Sequence, residues 1–475
     1  MSNNRSNLDR MFNPKVVAVI GDKKANGYGF LKALKTFKGT AYSIQIDPNE
    51  IPNIEALGYK NYLSLMDIKE PVDFVIIAVP RQAAPRVLAD CIKKGVGGVT
   101  LFTSGFAETD TEEGKKLQDT LQKMARDANL TLNGPNCMGL YRPKLGLRFT
   151  PDQWVGEGGT VAFIAQSGTH LSYFSTMGPI HGLKVSKSVS YGNAIIMDSP
   201  DYLDYFVQDP DTQAIAMYIE GVKNGRRFMD SLKAASRKMP VVIWKGGLTE
   251  EGTHATSAHT AALAESPILW RTLMRQCNAI QVSNLEEIID TLKALLYMKP
   301  VTGYRFGLVS LSGGQSVAIT DAFATEGIKV PRLSQSSIDE LSQIFTLIGG
   351  SYRNPFDISA FTLSIENLNK LLNVLDRDEN IDAIALELST MFLSRRLERE
   401  PQFIDSLVQA LVDFKARSSK GVIGIVIAGA KEALSLEFRG RLVAGNIPSY
   451  PSFARAAQTM RRVVDYHRRR AGMEV

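Results

Sequence analysis

The chain is short of several things, and each shortage excludes a class of protein. Its 475 residues contain only three cysteines, Cys91, Cys137 and Cys277, with no CxxC pair. A disulfide framework is therefore excluded, and a reducing, cytoplasmic location is expected. The opening MSNNRSNLDR is polar, with no apolar core of a signal peptide. The longest apolar runs, such as Val422–Ala428, have strand length and fall far short of a membrane span. No membrane partner is expected. There is no GxxxxGK[ST] phosphate loop and no GxGxxG fingerprint. Low-complexity tracts and short-period repeats are missing too.

Charge of one sign is also scarce. Lys and Arg number 55 against 49 Asp and Glu, a net +6. Half of that excess sits in the last fifteen residues, where five arginines from Arg461 to Arg470 face only Asp465 and Glu474. The rest of the chain is close to balanced, so no nucleic-acid partner is expected.

What is present is a regular alternation. Short β-branched runs alternate with longer helix-period segments, the pattern of parallel sheets covered on both faces. Strands are predicted at Val16–Ile20, Ala41–Ile46, Phe74–Val79, Val99–Phe102 and Leu130–Asn133, with a helix over 112–128. A second block has strands Val161–Ala165, Val185–Val189, Ala214–Ile219, Val241–Trp244 and Ala279–Val282, then a helix over 285–298. A third has strands Phe306–Leu311, Ala383–Leu388 and Val422–Ala428, and a last helix from Phe453. The expectation is an α/β chain of three doubly wound domains over residues 1–148, 149–300 and 301–475. At 475 residues, several domains are the natural division.

Open parallel sheets bind ligands outside the carboxyl ends of their strands, so the loops after the strands carry the chemistry. Strand one is followed by Gly21 to Gly29, a glycine-rich turn opening a helix, as a phosphate site would need. Asp47 ends strand two, where an acid could meet a ribose, but Pro48 after it makes a plain turn an equal reading. Arg81, after Val79-Pro80, is either a phosphate partner or a solvated surface arginine. Loops Ser104-Gly105-Phe106-Ala107-Glu108 and Gly134-Pro135-Asn136-Cys137 belong to the same rim. Cys137 is either held at a site or buried and inert.

In the second block Gln166-Ser167-Gly168-Thr169-His170 feeds a helix, an anion cradle or an ordinary cap. A long small-residue loop after strand Val241–Trp244 carries two of the five histidines, His254 and His259. A neutral imidazole there can act as a nucleophile toward phosphorus. Glu220, after strand Ala214–Ile219, is placed to accept from one ring nitrogen and leave the other free. In the third block Ser312-Gly313-Gly314 is a second cradle. Two helix N-termini, each with roughly half a positive charge, could stabilise a phosphoryl group without a metal.

Taken in order, Val17-Ala18-Val19-Ile20-Gly21, Ser104-Gly105-Phe106-Ala107-Glu108, Gly134-Pro135-Asn136-Cys137, Gln166-Ser167-Gly168, Tyr218-Ile219-Glu220-Gly221, Ala258-His259-Thr260-Ala261, Gly313-Gly314 and Asn354-Pro355 resemble the α subunit, or α-type half, of the NDP-forming acyl-CoA synthetases. This is the ADP-forming acetyl-CoA synthetase group of the succinyl-CoA synthetase superfamily. The resemblance implies an N-terminal Rossmann-like CoA-binding domain and two flavodoxin-like CoA-ligase domains. It implies a phosphohistidine at His259, held by Glu220, with Ser167, Gly168, Thr169, Gly313 and Gly314 as phosphate-binding residues. Gly21, Lys23, Pro80, Ser104, Glu108, Asn136 and Cys137 are the implied CoA contacts.

The implied activity is an acid–thiol ligase. A small carboxylic acid, CoA and ATP give acyl-CoA, ADP and phosphate through an acyl phosphate. ATP or ADP with Mg would sit on a separate ATP-grasp β subunit in an α2β2-like assembly, and no metal is expected in this chain. Ala258 and Ala261 depart from the S-H-T-G pattern around the histidine. They motivate an alternative, a non-catalytic CoA- or acyl-CoA-binding regulatory module. The Gly21–Gly29 turn and Asp47 motivate a third reading, a nicotinamide-dependent dehydrogenase.

Overall fold

The computed structural model describes residues 2–252, 266–346, 351–358, 364–430 and 432–475. The chain divides into two compact units: residues 1–179 with 183–285, and residues 180–182 with 286–475. The first unit contains two sheets and the second contains one.

The first sheet is built from β1 (Val16–Ile20), β2 (Thr40–Ile44), β3 (Lys60–Tyr62), β4 (Phe74–Ile77), β5 (Val99–Leu101) and β6 (Leu132–Asn133). All pairs are parallel and the order is β3-β2-β1-β4-β5-β6, the doubly wound Rossmann order. β1 and β4 read as unbroken apolar runs because both faces are covered.

The second sheet contains β7 (Gly139–Tyr141), β8 (Val161–Ala165), β9 (Val185–Ser190), β10 (Ala214–Ile219), β11 (Val241–Lys245) and β12 (Ile280–Val282). Its order is β12-β11-β10-β8-β9-β7. β7 is antiparallel to β9, with Gly139 opposite Ser190, and its three residues were not foreseen as a strand. Without it the order is the flavodoxin-like 2-1-3-4-5. Lys187, in the middle of β9, is 2% exposed. Its ammonium is paired with Asp209 at 2.6 Å and Asp211 at 3.3 Å, which makes its burial tolerable.

The two sheets of the first unit are tied by polar contacts. Asn133 at the end of β6 donates to the Ser190 carbonyl at 2.9 Å and accepts from the Tyr202 hydroxyl at 2.6 Å. The polar start of the chain forms a helix, Ser2–Phe12, which its composition does not announce. Its Leu8, Met11 and Phe12 are buried, and the Phe12 ring stacks on Tyr205 at 5.1 Å.

The second unit has β13 (Phe306–Ser310), β14 (Phe356–Asp357), β15 (Ala383–Glu387), β16 (Gly421–Ile425) and β17 (Ser449–Tyr450) in the order β14-β13-β15-β16-β17, all parallel. This is again 2-1-3-4-5. The closing helix Phe453–Arg470 lays Phe453, Ala456, Ala457, Met460, Val463 and Val464 into one core, at helical spacing. Three of its six arginines, Arg468 to Arg470, lie in the last turn, where cations suit the helix dipole. No helix among the described residues is long and apolar enough to cross a membrane.

Candidate functional site

A cavity of about 390 Å³ opens at the carboxyl ends of β1, β2 and β4. Gly21, Lys23 and Pro80 of the expected CoA set line it, together with Gln45, Asp47 and Arg86. Gly21 has φ +85°, and a Cβ there would come within 2.6 Å of Val79 Cγ1, so only glycine lets the turn close against β4. Ile46 and Leu63 line the same cavity while 74% and 62% exposed, which gives its mouth apolar walls.

The turn after β1 differs from a dinucleotide phosphate loop. The helix after it is short, Gly29–Ala33. The buried Asp22 carboxylate already accepts the Lys23 N–H at 3.1 Å and the Leu31 N–H at 3.0 Å. Burial raises the Asp22 carboxyl above its ordinary range, and these backbone N–H groups pull it back down. Asp47 serves its own turn, accepting from the Asn49 backbone at 2.9 Å, while also lining the cavity.

The other expected rim residues form a separate group. Glu108 Oε1 accepts the Gly105 N–H at 2.6 Å, and its Oε2 accepts from the Asn193 amide at 2.6 Å. Asn193 Oδ1 in turn accepts from the Asn136 amide at 3.4 Å. Asn193 was not among the expected site residues. Its bonds to Glu108 and Asn136 span the first and second sheets, a non-local link that spacing does not reveal. Ser104 is exposed beside this network. Arg81 donates to the Gly105 carbonyl at 2.6 Å and pairs with Glu113 at 2.8 Å, so its guanidinium braces the loop. The Cys137 thiol points into the core at 4% exposure, accepting from Asn133 at 3.3 Å. Burial pushes it well above an ordinary thiol.

In the second sheet the cradle and the acid come together at the switch between β8 and β10. The helix Gly168–Ile180 starts three residues beyond β8. Ser167 Oγ caps it, accepting the His170 N–H at 3.4 Å, and Thr169 is exposed at its first turn. The Gln166 amide oxygen accepts the N–H of Glu220 at 2.8 Å and of Gly221 at 3.1 Å. The strand bearing the acid is thereby locked to the strand bearing the cradle. Glu220 is 6% exposed and accepts the Tyr218 hydroxyl at 3.1 Å. Lys245, closing β11, donates to the Glu220 carbonyl at 2.8 Å.

One group here was missed by sequence reasoning. The His170 ring packs on Tyr218 at 4.2 Å and on Trp244 at 4.4 Å, a three-ring wall beside the cradle. Burial lowers the His170 pKa, and the Glu220 carboxylate pulls it back up. The only sequence signal was its place directly after Gln166-Ser167-Gly168-Thr169. His259, Ala258 and Ala261 lie outside the described residues.

The second unit carries Gly313 and Gly314 as the first two residues of the helix Gly313–Thr325. Ser312 caps it through the Gln315 N–H at 3.4 Å. Among the described residues a Cβ on Gly314 would meet nothing within 4 Å, and one on Gly313 only Asp357 Oδ2 at 3.7 Å, so no described residue closes this cradle.

A Rossmann-ordered sheet with a cavity at its strand ends, followed by two flavodoxin-ordered sheets with capped helix N-termini at their switch points, is the architecture of a ligand-binding α/β protein of several domains. Residues 15–143 match the CoA binding domain family, and residues 158–295 match the succinyl-CoA ligase like flavodoxin domain. The chain belongs to the ADP-forming acetate–CoA ligase family. It is 31% identical over 95% of its length to the ADP-forming acetate–CoA ligase I subunit alpha of Pyrococcus furiosus, covering 96% of that subunit. It is 34% identical over 79% of its length to acetate–CoA ligase [ADP-forming] I of Archaeoglobus fulgidus, and spans 54% of that relative. Among solved structures, the dinucleotide-forming acetyl-coenzyme A synthetase 1 of Ca. Korarchaeum cryptofilum, in complex with phosphate and ADP, superposes with a TM-score of 0.83 at 28% identity. That match covers 98% of this chain and 97% of the other.

Proposed function

We propose that this chain is the α-type part of an ADP-forming acid–thiol ligase. It joins a small carboxylic acid to CoA at the expense of ATP, with an acyl phosphate and a phosphohistidine at His259 as intermediates. The observation that carries the reading is the Gln166 clamp, which holds Glu220 beside the Ser167–Gly168–Thr169 cradle at one switch point. An acid so fixed can orient an imidazole, and the cradle can neutralise phosphoryl charge. Similarity along nearly the full length to a ligase α subunit favours catalysis over a binding module. The match of residues 15–143 to a CoA binding domain favours CoA over a nicotinamide dinucleotide.

In this reading CoA lies in the 390 Å³ cavity with its base between Ile46 and Leu63. Gly21, Lys23 and Pro80 line its path, and the thiol end reaches the rim of Ser104, Glu108 and Asn136. Cys137 contributes its loop backbone rather than its thiol. The phosphoryl group moves from His259 to the carboxylate oxygen of the acid, releasing the imidazole. The CoA thiol then displaces phosphate from the acyl carbon, giving acyl-CoA. A separate ATP-grasp β subunit supplies ATP, ADP and Mg, and the division at 1–148, 149–300 and 301–475 describes the domains. No metal is assigned to this chain, and a cytoplasmic location goes with the reading. Labelled ATP with an ATP-grasp partner should label the wild type and leave His259→Ala unlabelled. Equal label on both would sink the mechanism.

A further inference from the structure

The second unit contains a buried acid that the proposed reaction does not use. Glu387 closes β15 and is 1% exposed. Its Oε2 accepts the Leu311 N–H at 2.9 Å, two residues before the helix that starts at Gly313. Its Oε1 has no hydrogen-bond partner among the described residues. β13 and β15 are the neighbours across which the chain order reverses, so Glu387 sits at the switch point of this sheet. On the other side of β13, Asp357 ends β14 and comes within 3.7 Å of the position of a Gly313 Cβ. The open N-terminus of Gly313–Thr325 therefore stands over two carboxyl groups.

An N-terminus built to attract an oxyanion works poorly over two buried negative charges, because a low-dielectric floor screens them little. We propose that the Gly313–Gly314 cradle is a proton-coupled oxyanion site: a tetrahedral phosphate-like dianion binds there only while Glu387 carries its proton. This rests on the reading of Gly313–Gly314 as a phosphate cradle and says what that cradle requires. Glu387 acts through its charge, taking up one proton from solution as the anion enters and returning it when the anion leaves.

The surroundings agree. Burial pushes Glu387 up to about 7, the Leu311 N–H opposes that, and the Asp357 charge adds to it. Asp357 on β14 is the charged group acting on it among the described residues. β16 offers Ile425 opposite Glu387, and β13 and the helix offer the Ser310–Ser316 hydroxyl pair, all uncharged. The first unit provides an internal parallel, since it too places a glutamate, Glu220, at the end of the strand across its switch point from a cradle.

The test is calorimetric titration of the full chain with sulfate, which stays a dianion throughout the range used. Wild-type affinity in this site should fall about tenfold between pH 6 and pH 8, as the protonated fraction of a group titrating near 7 drops from about nine-tenths to about one-tenth. Glu387→Gln should hold its pH 6 affinity at pH 8. Gly314→Asp places a carboxylate at the cradle, where its Cβ meets no described residue, and should remove this binding component at both pH values. A wild-type affinity that ignores pH, or a Glu387→Gln that keeps the wild-type slope, overturns the proton coupling while leaving the cradle intact. Unchanged sulfate binding by Gly314→Asp overturns the cradle itself, and the proposal with it.

Discussion

The Tyr218 hydroxyl donates to Glu220 Oε1 at 3.1 Å, from a ring packed against both His170 and Trp244. The bond sits in a buried pocket, where water cannot replace it cheaply. Tyr218→Phe keeps the ring stack and removes only the donor. We expect it to cost about 2 kcal/mol of stability, in the range for bonds to charged acceptors. Urea unfolding of the full chain measures this. A cost near zero would show that the hydroxyl does not support the acid.

Glu220 itself should matter more for chemistry than for folding. Glu220→Gln keeps the size and one acceptor while removing the charge that favours an orienting bond from an imidazole. If the acid orients His259, phosphorylation by ATP and the partner should slow by at least about a hundredfold. Rapid-quench labelling reads the rate. A change of under threefold would detach Glu220 from the phosphoryl step.

How much of this was visible beforehand follows from the range of each interaction. β8 and β10 match their expected bounds because each is a continuous apolar run between turn residues. The cradles at Gly168 and Gly313 were legible because a capping serine and a glycine are local signals. β7 was not, because Gly139–Tyr141 becomes a strand only by meeting Ser188–Ser190 of β9, far along the chain. The Glu108–Asn193–Asn136 relay and the His170 wall are non-local for the same reason. Glu387 was one residue within the expected strand Ala383–Leu388, with no signal of its own, and only the Leu311 N–H above it and Asp357 beside β13 give it a role.

Gly168 illustrates how tightly the first cradle is built. A Cβ there would come within 2.5 Å of Met138 Cγ. Gly168→Ala should therefore destabilise by about 1–3 kcal/mol through overpacking. Met138→Ala makes room, so adding it to Gly168→Ala should recover part of that loss. A double-mutant cycle by chemical denaturation gives the coupling. Strict additivity would mean that the clash is relieved by backbone movement instead.

All three cysteines are buried, and burial raises each thiol, Cys91 to about 12. Thiolate is the reactive form, so a thiol reagent near pH 8 should find no fast-reacting group in the native chain and three after denaturation. One fast native equivalent, mapped to Cys137 by mass spectrometry, would bring that thiol out of the core and back to the CoA rim. Cys137→Ala should leave CoA affinity within about a factor of two, under about 0.5 kcal/mol, since the buried thiol faces the core and not the rim.

Glu387 should also leave a mark on stability, with the sign opposite to that of a paired carboxylate. Its folded value of about 7 lies above the usual 4.5. Between those values the native state holds a proton that the unfolded state has released. The contribution is therefore fully present below about pH 4.5 and is lost as pH rises through 7, up to about 3 kcal/mol for a shift of this size. Glu387→Gln cannot ionise and removes the loss. It should be more stable than the wild type at pH 8 and no more stable at pH 4.5, with equilibrium urea unfolding of the second unit's core as the readout. A wild type whose stability in this window does not depend on residue 387 would mean that the buried acid is ionised in the native protein. The two carboxyl groups beneath Gly313 would then both be charged at neutral pH, leaving the helix N-terminus above them already neutralised.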